Sequence, residues 1–271
     1  MFLKVGIAVQ NLAVICTLEY DCGMLPRDRS GISALRDLAG LPVRLSGYSE
    51  AAMEYALRIR ERAAADGMPV RVWALTQEKE FPQTVAGNLF AVGCDELVTL
   101  DCGREAAFFP RETGERLARA LEQRLWDLVL LGEKDGDGCS ASAGVFLARR
   151  LGVPYIGPLT DLWLEKDGLH YCRTLRFGEQ QGVTDGPAVC ALGNTKHPYL
   201  RMATLRERLA VMGRQAVFCE TERPKRADPA VERLRAVSSK RDLTWITGDS
   251  PEEQARQLLA VMGGKGGRRT E

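Results

Sequence analysis

The chain has 271 residues, enough to bury a core as one large domain or two modest ones without disulfide or metal staples. Its 37 lysines and arginines nearly balance 36 aspartates and glutamates, a formal net charge of +1, so no overall field draws it to nucleic acid or to an anionic membrane. Small neutral molecules, or another protein, suit that balance better.

In chain order, "MFLKVGIAVQNLAVICTLEYDCG" does not read as a secretory leader, because Gln10 and Asn11 break its apolar run and no charged region of any size precedes it. Residues 3–9 are predicted as a first buried strand, with Ala8 at its end. "SEAAMEYALRIRERAAADG" places Ala52, Tyr55, Ala56 and Ile59 three or four apart, which predicts an amphipathic helix capped by Ser49 and closed at Gly67. "PVRVWALT" follows as a strand ending at Thr76, "FPQTVAGNLFAVG" as a short helix, "ELVTL" as a strand, "RETGERLARALEQRL" as a helix and "WDLVLLG" as a strand. Strands alternating with helices predict a parallel sheet covered on both faces.

The next stretch, "LLGEKDGDGCSASAGVFLARRLGVPYI", runs from a buried strand through a loop of small and acidic residues into a helix. A strand, a glycine-containing turn and a helix N-terminus present unpaired backbone N–H groups, which suit phosphate. Asp135 and Asp137 oppose a phosphate unless they turn toward a ribose or the loop's own backbone. Carboxyl ends of parallel strands form one rim, so Ala8 and Thr76 are expected beside this loop.

The alternation stops near Pro154. "LTDLWLEKDGLHYCRTLRF" and "GPAVCALG" predict a β-hairpin turning at Lys166-Asp167-Gly168 and then a further strand, an antiparallel appendage on the parallel core. Residues 220–240 are charged, contain Pro224 and Pro229, and read as an extended arm. "DLTWITGDSPEEQARQLLAVMGG" then offers a strand, a capped helix and a glycine stop, before a disordered tail at 265–271. The expected organisation is thus a core over 1–219, an arm over 220–264 and the tail. Such an arm packs on something, either a second copy or a different chain.

Cysteines at 16, 22, 94, 102, 139, 172, 190 and 219 form no CxxC pair and read as free thiols in apolar runs; Cys16 and Cys22 lack the partner ligand a metal would need. His170 and His197 are too far apart in sequence to define a site. Tyr55, Trp73, Trp126, Trp163 and Trp245 are expected in core or interface packing rather than in stacking on a cofactor. There is no nucleophile elbow, no GxxxxGK(S/T) and no HExxH, so independent catalysis is not expected. No segment approaches the roughly 20 apolar residues of a membrane helix, and a soluble, cytoplasmic protein without membrane insertion is expected.

Taken together, the pieces resemble the β subunit of the electron transfer flavoproteins over essentially the whole chain. "VGIAVQNL" stands where the family has its first strand and a V-K-Q or V-K-R turn, with Gln10 in the glutamine position. "SGYSEAAMEYALRIRE" is similar to the family's N-P-F/Y-D/C-x-x-A-L/V-E-E-A-L/V-R-L-K-E, and "NLFAVGCDELVTL" to its A-x-A-M-G-A-D-x-x-x-x-L. "LLGEKDGDGCSASAG" has the length of the family loop L-x-G-K/R-Q-A-I-D-D/G-D-x-x-Q-T/V-G and precedes the family-like "LARRLGVP". "RMATLRERLAVM" and "GDSPEEQARQLLAVM" are similar to the segments after the partner-recognition loop and at the C-terminus.

The resemblance implies a Rossmann-like (adenine nucleotide hydrolase-like) α/β fold and a heterodimer with an α subunit. It also implies FAD shared with that subunit, and AMP or a second FAD in the β site. The expected cofactor-binding residues are Ala8, Gln10, Ser46, Tyr48, Thr76, Gly132, Asp137, Ser140, Ala141, Ser142, Ala143 and Gly144. The loop at 193–205 stands where family members meet a flavin dehydrogenase, with Lys196, Leu200 and Arg201 as expected contacts and Leu200 as the apolar anchor. Asp137 keeps the family's first acidic residue, whereas Gly138, Cys139, Ser142 and Ala143 replace its later acidic residues, Gln and Thr, leaving backbone donors to carry a phosphate. Ser46-Gly47-Tyr48-Ser49 stands in for N-P-F/Y-x. The alternative is a stand-alone adenine-nucleotide sensor of the same fold; an ATP-cleaving enzyme of a related fold lacks its Ser-Gly-Gly loop, since "AVQNLAV" is none.

Overall fold

In this computed structural model the described residues are 9–20, 42–102, 109–134, 142–221 and 245–264. The chain divides into two units, Met1–Leu234 and Arg235–Glu271. The first is an α/β unit built on a seven-stranded parallel sheet of order β12-β5-β4-β1-β6-β11-β7. Its strands are β1 (Asn11–Cys16), β4 (Arg71–Thr76), β5 (Glu96–Thr99), β6 (Leu128–Gly132), β7 (Tyr155–Leu159), β11 (Ala188–Leu192) and β12 (Val217–Phe218). Two short strands, β2 (Leu18–Tyr20) and β3 (Val43–Leu45), pair antiparallel beside it.

Helices cover both faces of the sheet. On one lie α1 (Gly47–Ala65) and α2 (Gln83–Val92), whose Met53, Tyr55, Leu57, Leu89 and Phe90 close a core over Leu12, Val14, Val72 and Leu130. On the other lie α3 (Pro110–Glu122) and α4 (Ser142–Leu151), whose Leu117, Leu121 and Leu147 pack on Ala13, Trp73 and Val129. Successive strand residues point to opposite faces, so the continuous apolar runs of β1, β4 and β6 feed both cores at once.

Among the described residues the first strand comes after the run predicted at 3–9, of which residues 3–8 lie outside the described residues. It spans Asn11–Cys16, and the end-of-strand position expected at Ala8 is held by Cys16 and Thr17. Two apolar runs flank Gln10-Asn11, and the second is the one paired between β4 and β6. Asp127 fixes this register by accepting from the amides of Gln10 and Asn11, both at 2.8 Å. The cap of α1 is likewise Ser46 rather than Ser49, three residues earlier, because Ser46 has extended backbone (φ −63°, ψ 145°) and its hydroxyl accepts from the Ser49 amide.

Beyond β7 the appendage has three strands instead of the expected two. They are β8 (Asp161–Glu165), β9 (Gly168–Leu175) and β10 (Gly178–Thr184), all antiparallel. "GEQQGVT" escaped detection because it is largely exposed and shows no apolar alternation. The chain then returns through β11 to the main sheet between β6 and β7. A short helix α5 (Leu205–Ala210) starts in a capping box of Thr204 and Glu207. In the second unit α6 (Pro251–Gly264) is the regular element among the described residues; residues 245–248 form no strand there, and 241–244 lie outside the described residues.

Candidate functional site

The sheet has a point where chain direction diverges. From β1 the chain crosses outward through α1 to β4 and through α2 to β5, then returns through α3 to β6 on the other side of β1. A crevice outside the carboxyl ends of β1 and β6 follows from that divergence, and such crevices hold the ligands of open α/β sheets. The register aligns the rim: Thr99 pairs with Thr76, Thr76 with Cys16, and Gly132 with Leu192.

Small residues and hydroxyls line this rim. Thr76 is fully buried and its hydroxyl accepts from the Glu78 amide at 3.3 Å. The hydroxyls of Thr17, Ser46 and Ser49 form a closed cluster, with Oγ atoms 2.9 to 3.2 Å apart, which ties the turn after β1 to the start of α1. Gly132 admits no side chain: a Cβ there would lie 2.4 Å from the Cβ of Tyr48. A Cβ at Gly193, after β11, would lie 2.9 Å from a Glu133 carboxylate oxygen and 3.1 Å from the Pro158 Cβ.

Between the start of α1 and the turn after β11 lies a cavity of ≈ 500 Å³, lined by Glu19, Ser46, Gly47, Tyr48, Ala51, Gly193, Asn194, Thr195, Pro198 and Tyr199. That is the size range of small-molecule sites. Ser46 takes up the Ser49 amide by its hydroxyl and the Glu50 amide by its carbonyl, while Gly47 and Tyr48, the first residues of the helix, sit on the cavity wall. The hydroxyl oxygen of Thr195 is buried without a hydrogen-bond partner in the same wall. An unmet buried hydroxyl is costly to stability. Glu19 lines this cavity, and half-buried Glu50 lies in the first turn of α1, its carboxyl held above the usual range mainly by burial; the acidic lining disfavours a phosphate here.

Of the expected cofactor residues, Ser46, Tyr48, Thr76 and Gly132 therefore meet at the rim, and Ser142, Ala143 and Gly144 form the first turn of α4. Gly144 lets that helix approach β6 and β7, since a Cβ would lie 2.6 Å from Leu131. Asp137, Ser140, Ala141 and Ala8 lie outside the described residues. Gln10 sits at the opposite end of the sheet, one strand length or about 20 Å from the rim, because β1 begins just after it. Sequence reasoning missed Thr17, Ser49 and Thr195; the Ser46-x-x-Ser49 spacing of a helix start was the available signal for Ser49.

The loop from 193 to 204 is fastened at two points. Lys196 Nζ lies 2.6 Å from Asp161 Oδ2, and Asp161 Oδ1 accepts from the Tyr55 hydroxyl at 3.0 Å. Burial alone would raise the Asp161 carboxyl, but the Lys196 and Tyr55 hydrogen bonds outweigh it and hold it low. Arg201 clamps onto α1, donating to both oxygens of buried Glu54 and pairing with Glu61. Leu200 is half-buried against the core, so the exposed apolar side chains of this loop are its neighbours Tyr199 and Met202, 78% and 87% exposed. Burial pushes the thiols of Cys94 and Cys190 up to about 12, which leaves no thiolate there for ligation or attack.

Residues 39–195 match the model of the electron transfer flavoprotein domain. The chain belongs to that family. Curated relatives named electron transfer flavoprotein subunit beta include that of Mycobacterium tuberculosis, 32% identical over 122 residues (45% of this chain, 46% of the relative). The subunits of Mycobacterium leprae and Thermoanaerobacterium thermosaccharolyticum are 31% and 26% identical over 122 and 139 residues, covering 46% and 52% of those proteins. The chain spans about half the length of the curated relatives it matches. The family-matched stretch contains the rim residues from Ser46 to Thr195, while Thr17 and Glu19 precede it and Pro198 and Tyr199 follow it. Among the described residues no helix is long and apolar enough to cross a membrane.

Proposed function

We propose that the chain acts as the β-type subunit of an electron-transferring flavoprotein, paired with an α subunit and passing electrons from a flavin dehydrogenase to a downstream acceptor. The observation that supports this most is the family-matched stretch, 39–195, which carries β6 and the start of α1 on the wall of the crevice outside β1 and β6. FAD, when bound, supplies the electron-accepting and electron-donating chemistry. The chain's residues shape its surroundings: Tyr48 and Tyr199 offer ring faces, Thr195 a hydroxyl and Gly47 a backbone wall. The acidic side chains near that cavity favour the ring end of FAD there, with most of the cofactor held by the α subunit.

An adenylate, as AMP or as part of a second FAD, belongs in this reading to the strand-to-helix turn between Gly132 and Gly144. Gly132 lets the end of β6 approach Tyr48, Gly144 lets α4 approach Leu131, and the first turn of α4 supplies N–H groups. Electron delivery docks on the 193–204 loop, where the Lys196 and Arg201 ion pairs hold Tyr199 and Met202 outward. In the second unit, Trp245, Leu258, Leu259 and Met262 are exposed and suit burial against the α subunit. Co-expression with an α-subunit gene, followed by a visible spectrum and nucleotide analysis, tests the reading. A yellow heterodimer carrying flavin is expected. A colourless monomer that still binds AMP would support a nucleotide sensor instead.

A further inference from the structure

The turn joining β8 to β9 gathers a second set of chemistry-bearing side chains, away from the rim. Glu165 ends β8, Asp167 lies in the turn and His170 is the third residue of β9. One ligand atom from each lies within 4.8 Å of the other two. His170 Nε2 is 2.8 Å from Asp167 Oδ1 and 3.8 Å from Glu165 Oε2. The imidazole is only 20% exposed and stacks on Trp163, with ring centroids 5.6 Å apart and planes 25° apart, so its edge is held toward the two carboxylates. Trp163 also donates its indole N–H to Glu165 Oε1 at 2.8 Å, which leaves Oε2 facing the imidazole. One aromatic residue thus orients both a nitrogen and an oxygen ligand, the role that outer partners play around metal ions.

We propose that this hairpin tip binds a first-row divalent cation of the Zn²⁺ class through His170, Asp167 and Glu165. Metal–ligand bonds of about 2.0–2.1 Å in a tetrahedron place ligand atoms about 3.4 Å apart, so seating the ion opens the Asp167 contact by about 0.6 Å and closes the Glu165 contact by about 0.4 Å. Both shifts are within reach of exposed carboxylates at a turn. Coordination at Nε2 puts the ring proton on Nδ1. An imidazole beside two carboxylates selects Zn²⁺, Ni²⁺ or Co²⁺ over Mg²⁺ and Ca²⁺, which prefer all-oxygen sets. Three protein ligands leave a position for water, so the ion is exchangeable.

Calorimetric titration of the purified full-length protein with Zn²⁺, Ni²⁺, Mg²⁺ and Ca²⁺ tests the site. One equivalent of Zn²⁺ and of Ni²⁺ is expected, neither Mg²⁺ nor Ca²⁺ replacing it, with that equivalent lost in His170→Gln. Affinity should fall at least tenfold in Asp167→Asn, a change at an exposed turn that leaves circular dichroism unaltered. Ni²⁺ should quench part of the tryptophan emission, and Trp163→Phe should remove that part. The proposal is overturned if the unmutated protein takes up no Zn²⁺, if His170→Gln binds with unchanged stoichiometry and affinity, or if Mg²⁺ competes equally.

Discussion

The two ends of the seven-stranded sheet expose the same kind of backbone and are finished in opposite ways. At the amino end two central strands, β1 and β4, are closed by carboxylates: Asp127 accepts from the amides of Gln10 and Asn11, and Asp95 accepts from that of Val72 at 2.8 Å. Arg60 then pairs with Asp95, and Arg71 and Arg124 pair with the neighbouring Glu96. At the carboxyl end the finish is threonine, serine and glycine, with a cavity and a buried hydroxyl left unmet. The amino end spends its polar groups on the fold itself. The carboxyl end keeps space and donors for something else, at some cost in stability.

The largest expected effect concerns the buried clamp beside the rim. Arg201→Met leaves Glu54, whose side chain is 5% exposed, with the Arg58 guanidinium and the backbone amide of residue 201. Removing one partner of a buried pair costs about 3–5 kcal/mol, and the partial exposure of Arg201 lowers that to about 2–3 kcal/mol in urea denaturation. Burial pushes the Glu54 carboxyl up, but the Arg201 hydrogen bonds and charge more than offset it and hold its pKa low. The stabilisation is therefore complete above the unfolded-state value of about 4.3 and is lost as pH falls through the lower folded value. Denaturation midpoints measured from pH 6 to 3 should drop more steeply for the unmutated protein than for Arg201→Met; parallel curves would remove the clamp from the account.

Next in size is the amino end. Asp127→Asn weakens two charge-assisted hydrogen bonds and should lower stability by about 2 kcal/mol. Cofactor content of the surviving folded protein should be unchanged, which separates this end from the other. A smaller effect is expected for docking: Tyr199→Ala and Met202→Ala should each weaken binding of the electron-donating dehydrogenase by about 1–2 kcal/mol in surface-plasmon measurements, and Leu200→Ala should act through stability instead. The smallest is Ser142→Ala, at most about 1 kcal/mol in nucleotide affinity by calorimetry, against on the order of a few kcal/mol for Ser142→Asp through repulsion at the turn.

How far the sequence carried this picture depends on how local each feature is. The alternation of β4, α2, β5, α3 and β6 is visible because each element carries its own apolar period and its own glycine or proline stop. The position of β1 was not, since two apolar runs compete and Asp127, 116 residues beyond Asn11, decides between them. The same holds at the cap of α1, where two serines three residues apart are equivalent by pattern and the Thr17 hydroxyl picks out both. At the candidate site, Gly132 and Tyr48 were legible through the family resemblance. Thr195 was not, because its burial arises only when the turn after β11 folds onto α1. The pairing of Arg201 with Glu54 was hidden for a similar reason: the two lie 147 residues apart.

The comparison of the two ends comes down to whether the carboxyl rim holds a nucleotide. Titration of nucleotide-stripped protein with AMP, on the unmutated chain, on Gly132→Val and on Asp127→Asn, measures it directly. A side chain at Gly132 must displace Tyr48, whose Cβ is 2.4 Å from the position it would occupy. The account predicts one equivalent bound by the unmutated chain and by Asp127→Asn with equal affinity, and at least tenfold weaker binding by Gly132→Val. Absence of binding by the unmutated chain, or equal affinity of all three, would contradict it.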